Sequence, residues 1–512
     1  MNASETRIVA VDQNDHKIRL IDKIQAHLNN GILHRAIMIF VFNSDGDLLL
    51  QKRSDRKMLW PSFWDSTCAT HPFNQESYEK CGQRRLQEEL GFTTQLKYLG
   101  KFFYQAKYKN VGAEKEICAV LVGFYDGEIN PNKKEVAETK WIDFEKLLIE
   151  IKQRPDKFTP WLKIGLEKFV QEIKQERLKI VFKHLSNLVE PKIKEVLSQD
   201  ISRRTSRLLF YPVSIGGKRL RPALAIISCL ATGGKMKDVI YPAASLEILH
   251  NYTLIVDDTI DHGLIRRGKP TLQKEYGLSM AECLAVDYVA SIFQPIAQYI
   301  KPEIIIPLFT RTLKTIFEGE ILDILFEQTG RNNEPYIQSH RYSEISLKQY
   351  LKMVSQKTAS LIQASCHIGG ICAKTSGKQL AALQKYGFSL GIAFQIQDDI
   401  LDIFGYEKKF GKKIGKDIEE RKMGNIVILL ASQEFSRKEK NKFQSILRKN
   451  KITNQDIKEA IHLIKQTSAQ EKAQNLARKY VRQSKKSLAF LSQNKWTSLL
   501  ADLADFVIER EK

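Results

Sequence analysis

The sequence lacks any apolar run close to the roughly 20 residues that cross a bilayer, and its N-terminus lacks the basic, apolar and small-residue pattern of a secretory signal. Cysteine is scarce and never forms a CxxC pair. An odd total of seven scattered cysteines indicates a reducing compartment. The sequence therefore predicts a cytoplasmic protein without stable membrane insertion.

Linkers rich in glycine, serine or proline, internal repeats and low-complexity segments are also missing, although 512 residues suggest two to four domains. Acidic residues are outnumbered, giving a net charge of +21. Residues 1–170 carry 26 Lys and Arg against 23 Asp and Glu, so most of the excess lies in residues 171–512. No aromatic-rich basic stripe accompanies it, so nucleic acid is not expected as a partner, and a basic scaffold for membranes or nucleic acid is the weakest hypothesis.

The two parts of the chain differ in hydrophobic period. Residues 33–145 show short apolar runs typical of strands, at 37–42, 48–51, 117–124 and 139–142, around one helix near 76–90. From about residue 165 the spacing becomes helical, with glycine pairs at 216–217, 233–234 and 369–370 as interruptions. We expect a multidomain protein, with an α/β or α+β domain over residues 1–170 and an all-α domain over 171–512.

Two aspartate clusters of the form DDxxD stand out in the helical part. The first aspartate cluster is Asp257, Asp258 and Asp261; the second aspartate cluster is Asp398, Asp399 and Asp402. Residues four apart share a helix face, so each cluster can form a carboxylate clamp. Carboxylates in apolar surroundings are costly unless cations neutralise them. The pattern favours magnesium bound to diphosphate over two acidic helix ends in solvent.

Basic and polar motifs accompany both clusters. A segment at 216–222 precedes the first cluster with Lys218 and Arg221, and further candidates follow along the chain: Glu247, His250, Arg266, Arg267, Lys357, Thr358, Gln395, Lys412 and Lys422. Together these motifs resemble the trans-isoprenyl diphosphate synthases over about residues 180–480. The resemblance implies the all-α helical bundle of isoprenoid synthases and a homodimer.

The same resemblance assigns roles to these residues. About three magnesium ions on the two aspartate clusters would bind the leaving diphosphate of an allylic substrate. Further contacts to the substrates would come from Lys357, Lys412, Lys422, Arg266, Thr358 and Gln395. Isopentenyl diphosphate would be bound separately by Lys218, Arg221, His250 and Arg267.

Product length should depend on the residues four and five places before the first aspartate cluster. In the resembling family these residues form the floor of the elongation cavity, and here they are Thr253 and Tyr252. One aromatic residue beside a small one implies geranylgeranyl diphosphate as product, with farnesyl diphosphate as the second choice.

The first part of the chain carries a different set of motifs. Glu76 and residues 84–92 resemble a Nudix box, and further residues follow the order of type I isopentenyl diphosphate isomerases: Lys23, His27, His34, residues 60–64, His71, Tyr104, Glu114, Glu116 and Trp161. This resemblance spans about residues 1–170 and implies a Nudix fold. Together the two resemblances indicate a fusion protein.

The isomerase resemblance implies two cation sites. His27, His34, His71, Glu114 and Glu116 would bind one ion, and three histidines suit zinc or manganese as well as magnesium. A separate magnesium would accompany the substrate diphosphate near Glu89. Candidate contacts of that diphosphate are Lys23, Arg53, Lys57 and Arg85.

Isomerisation adds a proton to one alkene carbon and removes another nearby. The family uses a cysteine for one transfer and a glutamate, here Glu116, for the other, with Tyr104 beside it. The cysteine position holds Ala69, and Cys68 precedes it. Three alternatives remain: Cys68 reaches the site, water or another group substitutes, or isomerase activity is lost. The sequence thus predicts a bifunctional isoprenoid enzyme or, alternatively, a prenyl synthase with a silent, regulatory, diphosphate-binding Nudix domain.

Overall fold

The computed structural model describes residues 7–297, 302–331, 333–405, 414–449 and 451–509. The chain divides into two compact units, Met1–His184 and Leu185–Lys512. The division therefore falls later in the chain than the expected 170/171 boundary, within a helix that spans residues 160–196. Among the candidate site residues, Lys412 lies outside the described residues.

The first unit contains one nine-stranded sheet. Its strands are β1 Arg7–Val11, β2 Lys17–Asp22, β3 His34–Phe42, β4 Asp47–Arg53, β5 Trp64–Asp65, β6 Cys68–Thr70, β7 Leu96–Tyr108, β8 Gly112–Phe124 and β9 Val136–Asp143. The order β2-β1-β3-β4-β5 forms the main path, with β6 and β8 also paired to β3, β7 to β8, and β9 to β4. All four strands expected from the sequence lie within observed strands.

Strand β3 is central because both of its faces are buried. Its side chains alternate between two apolar clusters, with Met38 and Phe40 on one face and Ile37 and Ile39 on the other. The first face packs against residues of α3 (Phe144–Gln153) and of the beginning of α4 (Pro160–Val196); the second packs against α2 (Tyr78–Leu90). A short helix, α1 (Lys23–His27), precedes β3. The expected mixed α/β architecture is confirmed.

The second unit is helical apart from the two-residue strands β10 Ile265–Arg266 and β11 Lys269–Pro270. After α4 its described helices are α5 Arg203–Ser214, α6 Leu220–Ala231, α7 Met236–Ile260, α8 Leu272–Tyr276, α9 Leu278–Ala297, α10 Pro302–Leu325, α11 Pro335–His340, α12 Leu347–Val354, α13 Ser360–Cys372, α14 Gly377–Phe404, α15 Lys416–Glu419, α16 Ile426–Glu434, α17 Arg437–Leu447, α18 Asn454–Lys465, α19 Ala469–Ser487 and α20 Lys495–Glu509. The expected all-α bundle is confirmed.

One glycine pair does not interrupt a helix as expected. Gly369 and Gly370 lie inside α13. A Cβ atom on Gly369 would lie 2.3 Å from the carbonyl oxygen of Ala225, so the missing side chain allows α13 to approach α6 closely. Within the described ranges, no helix combines the length and apolar character needed to cross a membrane.

Candidate active sites

Five metal-ligating side chains meet at one end of the sheet in the first unit. We call His27, His34, His71, Glu114 and Glu116 the histidine–glutamate cluster. All five are largely buried, and one donor atom from each lies within 4.8 Å of those of the others. The parallel register of β3 and β8 places His34 opposite Glu116, and alternation along β8 puts Glu114 on the same face.

Contacts with carbonyl groups orient the histidine rings. The Nδ1 atoms of His27 and His34 lie 2.5 and 2.6 Å from the carbonyl oxygens of Lys23 and Ile32. Their Nε2 atoms therefore face the carboxylates, at 2.8 Å from Glu114 for His27 and 3.2 Å from Glu116 for His34. Backbone contacts of this kind fix imidazole ligands of metals.

The charges of the histidine–glutamate cluster also fit a cation. Desolvation lowers the pKa of His27, but its contact with Glu114 outweighs this and leaves the pKa above its usual value. Desolvation raises the pKa of Glu116, but hydrogen bonds from His34 and Tyr104 hold it below its usual value. A carboxylate such as Glu116, held ionised beside imidazole nitrogens, is a suitable donor for a divalent ion.

A cavity of about 340 Å³ adjoins the histidine–glutamate cluster. Tyr104 and Trp161 line it, and the Tyr104 hydroxyl donates a 2.6 Å hydrogen bond to Oε2 of Glu116. Oε1 of Glu116 faces His34 and His71 instead. Glu116 therefore lies between the cluster and the cavity, where it can exchange a proton with a molecule in the cavity.

Ala69 and Cys68 are neighbours on β6, so their side chains point to opposite faces of the sheet. Ala69 lines the cavity, whereas the adjacent Cys68 is fully buried on the opposite face, among the apolar side chains beneath α2. The structure does not bring Cys68 to the cavity. Another thiol does line it, that of Cys118 on β8, two residues after Glu116 and on the same strand face. Cys118 was not predicted from the sequence, although the alternation of Glu114, Glu116 and Cys118 along one strand indicates a shared face.

Four cationic side chains also line the cavity, those of Lys23, Arg53, Lys57 and Arg85. Desolvation lowers the pKa of Lys23, and the charges of Lys57 and Arg85 lower it further. Mutual repulsion of this kind favours an anionic ligand. Lys57 is paired with Glu135.

Glu89, which was expected beside the magnesium of the substrate diphosphate, lies behind the side chains that line the cavity. It is 1% exposed, is paired with Arg85, and is not one of the residues that line the cavity. Arg53 is also partly engaged, since it donates to the carbonyl oxygens of Leu59 and Trp60.

In the second unit, the first aspartate cluster ends α7 and is surrounded by cations. Arg266 Nε and Nη2 lie 2.7 Å from Asp258 and 3.0 Å from Asp257. Lys422 Nζ lies 3.0 Å from Asp261. The segment that follows the second aspartate cluster therefore reaches the first one.

Two acidic residues of α10 belong to this site and were missed by the sequence analysis. Lys357 Nζ lies 2.7 Å from Asp323, 2.8 Å from Glu320 and 3.3 Å from Asp257. The spacing of Glu320 and Asp323 on an apolar helix was the available signal. Desolvation lowers the pKa of Lys357, yet Asp323, Asp257 and Glu320 hold it well above its usual value.

Lys357 and Thr358 lie in a π-helical turn, Ser355–Ala359, as is frequent at functional sites. Gly319 of α10 makes room for this turn, since a Cβ there would lie 2.3 Å from the Lys357 nitrogen. Thr358 donates to Gln395, and Gln395 donates to Asp399, both at 2.8 Å. The three polar residues connect this turn to the second aspartate cluster.

The members of the second aspartate cluster differ in their surroundings. Asp399 is 3% exposed and accepts hydrogen bonds from Tyr350, Gln395 and the backbone of Ile426. Asp402 accepts from the backbone nitrogens of residues 416 and 417. Asp398 is more exposed than either. Asp399 and Asp402 thus contribute to the shape of the site in addition to its charge.

The segment 216–222 forms a second cationic area. Arg221 Nη1 lies 3.2 Å from His250 Nε2, and Arg267 donates to the carbonyl oxygen of Gly216. Lys218 is exposed beside them in the sequence. Desolvation, together with the charge of Arg267, lowers the pKa of Arg221 to about 10, although the Glu247 carboxylate opposes this lowering.

The expected cavity floor contains an aromatic pair. Tyr252 on α7 and Phe317 on α10 meet edge to face, with ring centroids 5.8 Å apart. The Thr253 hydroxyl donates to the carbonyl oxygen of His250 within α7. Phe317 was not identified from the sequence, because it is far from the first aspartate cluster along the chain.

These two sites define a two-domain protein with a buried set of metal ligands in one unit and carboxylates facing cations in the other. Residues 202–464 match the polyprenyl synthetase family, and residues 32–162 match the NUDIX domain. The chain belongs to the polyprenyl synthetase family, with a Nudix domain fused at its N-terminal side.

Curated relatives match each part over nearly their full length. The geranylgeranyl diphosphate synthase of Sulfolobus acidocaldarius is 33% identical over 65% of this chain and 98% of that synthase. The isopentenyl-diphosphate Delta-isomerase 1 of Photorhabdus laumondii is 39% identical over 30% of this chain and 90% of that isomerase. The expected fusion is confirmed.

Solved structures match the helical part. The geranylgeranyl pyrophosphate synthetase of Pyrococcus horikoshii covers 66% of this chain and 99% of its own, with 30% identity and a TM-score of 0.60. The decaprenyl diphosphate synthase of Rhodobacter capsulatus covers 66% and 99%, with 28% identity and a TM-score of 0.57. Since synthases of different product length share this fold, the fold alone does not determine chain length.

Proposed function

We propose that this chain is a bifunctional isoprenoid enzyme. The Nudix domain interconverts isopentenyl and dimethylallyl diphosphates, and the helical domain condenses isopentenyl diphosphate with allylic diphosphates. One observation supports the proposal above all: a single chain contains both sites. The histidine–glutamate cluster lies beside its cavity in one domain, and aspartates pair with Lys357 and Lys422 in the other. A silent Nudix domain is not favoured, because the N-terminal relatives are isomerases.

For isomerisation, the histidine–glutamate cluster would hold one magnesium, manganese or zinc ion. When bound, such an ion fixes the carboxylates and stabilises negative charge beside the cavity. Lys23, Arg53, Lys57 and Arg85 bind the substrate diphosphate within the cavity. Trp161 and Tyr104 enclose the hydrocarbon and exclude water.

The proton donor in this proposal is Cys118. Ala69 has no proton to give, and Cys118 is a thiol among the cavity-lining residues. Desolvation, with the charge of Glu116, raises the pKa of the Cys118 thiol well above its usual value, so the thiol is protonated. The thiol protonates the terminal alkene carbon, giving a tertiary cation. Glu116 then removes a proton from the carbon next to the diphosphate-bearing carbon, and the double bond moves. After the product leaves and water enters the cavity, proton return from Glu116 to Cys118 through that water restores the enzyme.

For condensation, the two aspartate clusters would hold magnesium ions against the allylic diphosphate. Magnesium neutralises the leaving diphosphate when bound. Lys357, Lys422 and Arg266 donate to the same diphosphate, and the double bond of isopentenyl diphosphate attacks the resulting cation. Geranylgeranyl diphosphate is the proposed product, with farnesyl diphosphate second.

We also propose a cytoplasmic homodimer. All seven cysteines are free. Helices α9 and α10 expose Val286 (72%), Ile321 (50%) and Ile304 (42%), which are costly to leave in water and are suited to pairing with a second copy. Light scattering of the purified protein tests the dimer.

The test of the function supplies isopentenyl diphosphate as the only substrate, with magnesium, and identifies prenyl products by mass spectrometry. A long-chain product requires both activities, because the synthase alone has no allylic primer. Cys118→Ala should abolish the product, dimethylallyl diphosphate should restore it, and the matched variant Cys68→Ala should retain it. Failure of the wild type with both substrates would reject the synthase. Full activity of Cys118→Ala would reject Cys118 as donor.

A further inference from the structure

Glu247 is a buried carboxylate among the arginines near the segment 216–222. It lies on α7, ten residues before Asp257, and is 2% exposed. Its Oε1 atom accepts a hydrogen bond from Arg219 Nη1 at 2.8 Å and another from Asn251 at 3.3 Å. Its Oε2 atom is buried and has no hydrogen-bond partner among the described residues. A carboxylate in this position is expensive unless nearby cations stabilise it.

Arg219 differs from its neighbours because its guanidinium is directed into the protein. It is 4% exposed, and besides its bond to Glu247 it donates a 2.7 Å hydrogen bond to the carbonyl oxygen of Val213. Its backbone is left-handed, with a φ of 48° at the start of α6. A non-glycine residue in this conformation needs surrounding contacts to hold it. The contact with Glu247 is one of them.

The turn at Arg219 sets the direction of the next cationic side chain. Arg221 follows two residues later on the first turn of α6, where it meets His250. Its Nε atom is buried and has no hydrogen-bond partner among the described residues. Desolvation lowers the pKa of both Arg221 and Arg267. In each case the Glu247 carboxylate is the charge that opposes this lowering most strongly.

The Glu247 carboxylate therefore acts on three guanidinium groups: it bonds to that of Arg219, and it is the largest opposing charge for those of Arg221 and Arg267. Arg219 donates to Glu247 and to the carbonyl oxygen of Val213, whereas the Nε atom of Arg221 has no hydrogen-bond partner among the described residues. The remaining positive charge is available to an anion with several oxygens, which is the chemistry of a diphosphate.

We propose that Glu247 is a positioning residue for isopentenyl diphosphate: it anchors Arg219, holds the turn that begins α6, and keeps Arg221 and Arg267 oriented before the diphosphate arrives. This inference rests on the proposed condensation activity. Glu247 itself does not touch the substrate, because the like charges of a carboxylate and a diphosphate repel.

The test compares Glu247→Gln with the wild type. Glutamine keeps the shape and one acceptor oxygen but removes the charge. We expect the KM for isopentenyl diphosphate to rise about tenfold, corresponding to about 1.4 kcal/mol, while the KM for the allylic primer and kcat change less than twofold. The matched control is Glu195→Gln, whose carboxylate pairs with Lys192 on the surface and should change neither KM.

A second variant separates positioning from general stability. If Glu247 acts through Arg219, then Arg219→Met and the double variant should raise the KM for isopentenyl diphosphate as much as Glu247→Gln does, instead of multiplying the effects. Equal increases of both KM values, or a lower kcat with an unchanged KM, would overturn the proposal. Equilibrium binding of isopentenyl diphosphate provides the same comparison without turnover. A wild type that binds it but makes no prenyl product would instead refute the proposed function.

Discussion

Truncation of Tyr252 is the most direct perturbation of product length. It lies five positions before Asp257 on α7, a rise of about 7.5 Å along the helix axis. Its ring packs against Phe317 at the expected end of the elongation cavity. A growing chain pressed against this ring would suffer an overpacking cost of about 1–3 kcal/mol. Tyr252→Ala should therefore raise the ratio of longer products to the wild-type product about 5- to 150-fold.

The variant should remain folded during the assay. Loss of an aromatic pair costs about 0.5–1.5 kcal/mol beyond the buried area, which corresponds to a decrease of a few degrees in thermal midpoint. The assay incubates the enzyme with dimethylallyl and isopentenyl diphosphates and measures the chain-length distribution by mass spectrometry.

Phe317 and Thr253 supply the comparisons for this prediction. The double variant Tyr252→Ala with Phe317→Ala removes both rings and should lengthen products beyond the single variant. Thr253→Ala shortens a side chain that is already small and is bonded within its own helix, so it should change the distribution less than Tyr252→Ala does. Unchanged products in both the single and the double aromatic variants would refute the aromatic floor.

Three further predictions concern stability and ions. Arg177 is fully buried and donates a 2.8 Å hydrogen bond to the carbonyl oxygen of Gly46. Arg177→Ala should therefore lower the free energy of unfolding by about 3 kcal/mol. The surface variant Lys179→Ala should lower it by less than about 1 kcal/mol, and urea unfolding measures both. Desolvation and the Asp257 carboxylate raise the pKa of Glu320 to about 7. Between pH 4.5 and 7 the folded metal-free protein therefore retains a proton that the unfolded chain has released, so its thermal midpoint should fall as the pH rises through this range. The variant Glu320→Gln should lose this pH dependence. Increasing EDTA should abolish condensation before isomerisation, because the histidine–glutamate cluster offers five buried donors, and the reverse order would contradict that ligand set.

The sequence predicts strands well where burial is strong on both faces. Strand β3 is apolar from Ile37 to Phe42 because it lies in the middle of the sheet between two apolar clusters. Strand β7 was missed because only Phe102 and Tyr104 of its thirteen residues are buried, among exposed lysines. Its position depends on pairing with β8, which a local pattern does not reveal.

The same distinction applies to the sites. The aspartate clusters are recognisable because both carboxylates of each clamp lie on one helix turn. Glu320 and Asp323 join the first cluster only through the packing of α10 against the π-helical turn that holds Lys357. Likewise, the glycine pair at 369–370 looks like an interruption in sequence, whereas it serves helix packing in three dimensions.

Fusion changes the rate that the Nudix domain must reach. A geranylgeranyl chain contains one unit derived from dimethylallyl diphosphate and three further isopentenyl units, so one isomerisation supports three condensations. The fusion fixes one Nudix domain per synthase domain. Isomerisation at a third of the condensation rate therefore still supplies enough dimethylallyl diphosphate for the synthase. An acid displaced from position 69 to Cys118 would be less well aligned for its substrate, and misalignment lowers the rate. The stoichiometry of the coupled reaction tolerates part of that loss, which makes Ala69 compatible with a working isomerase.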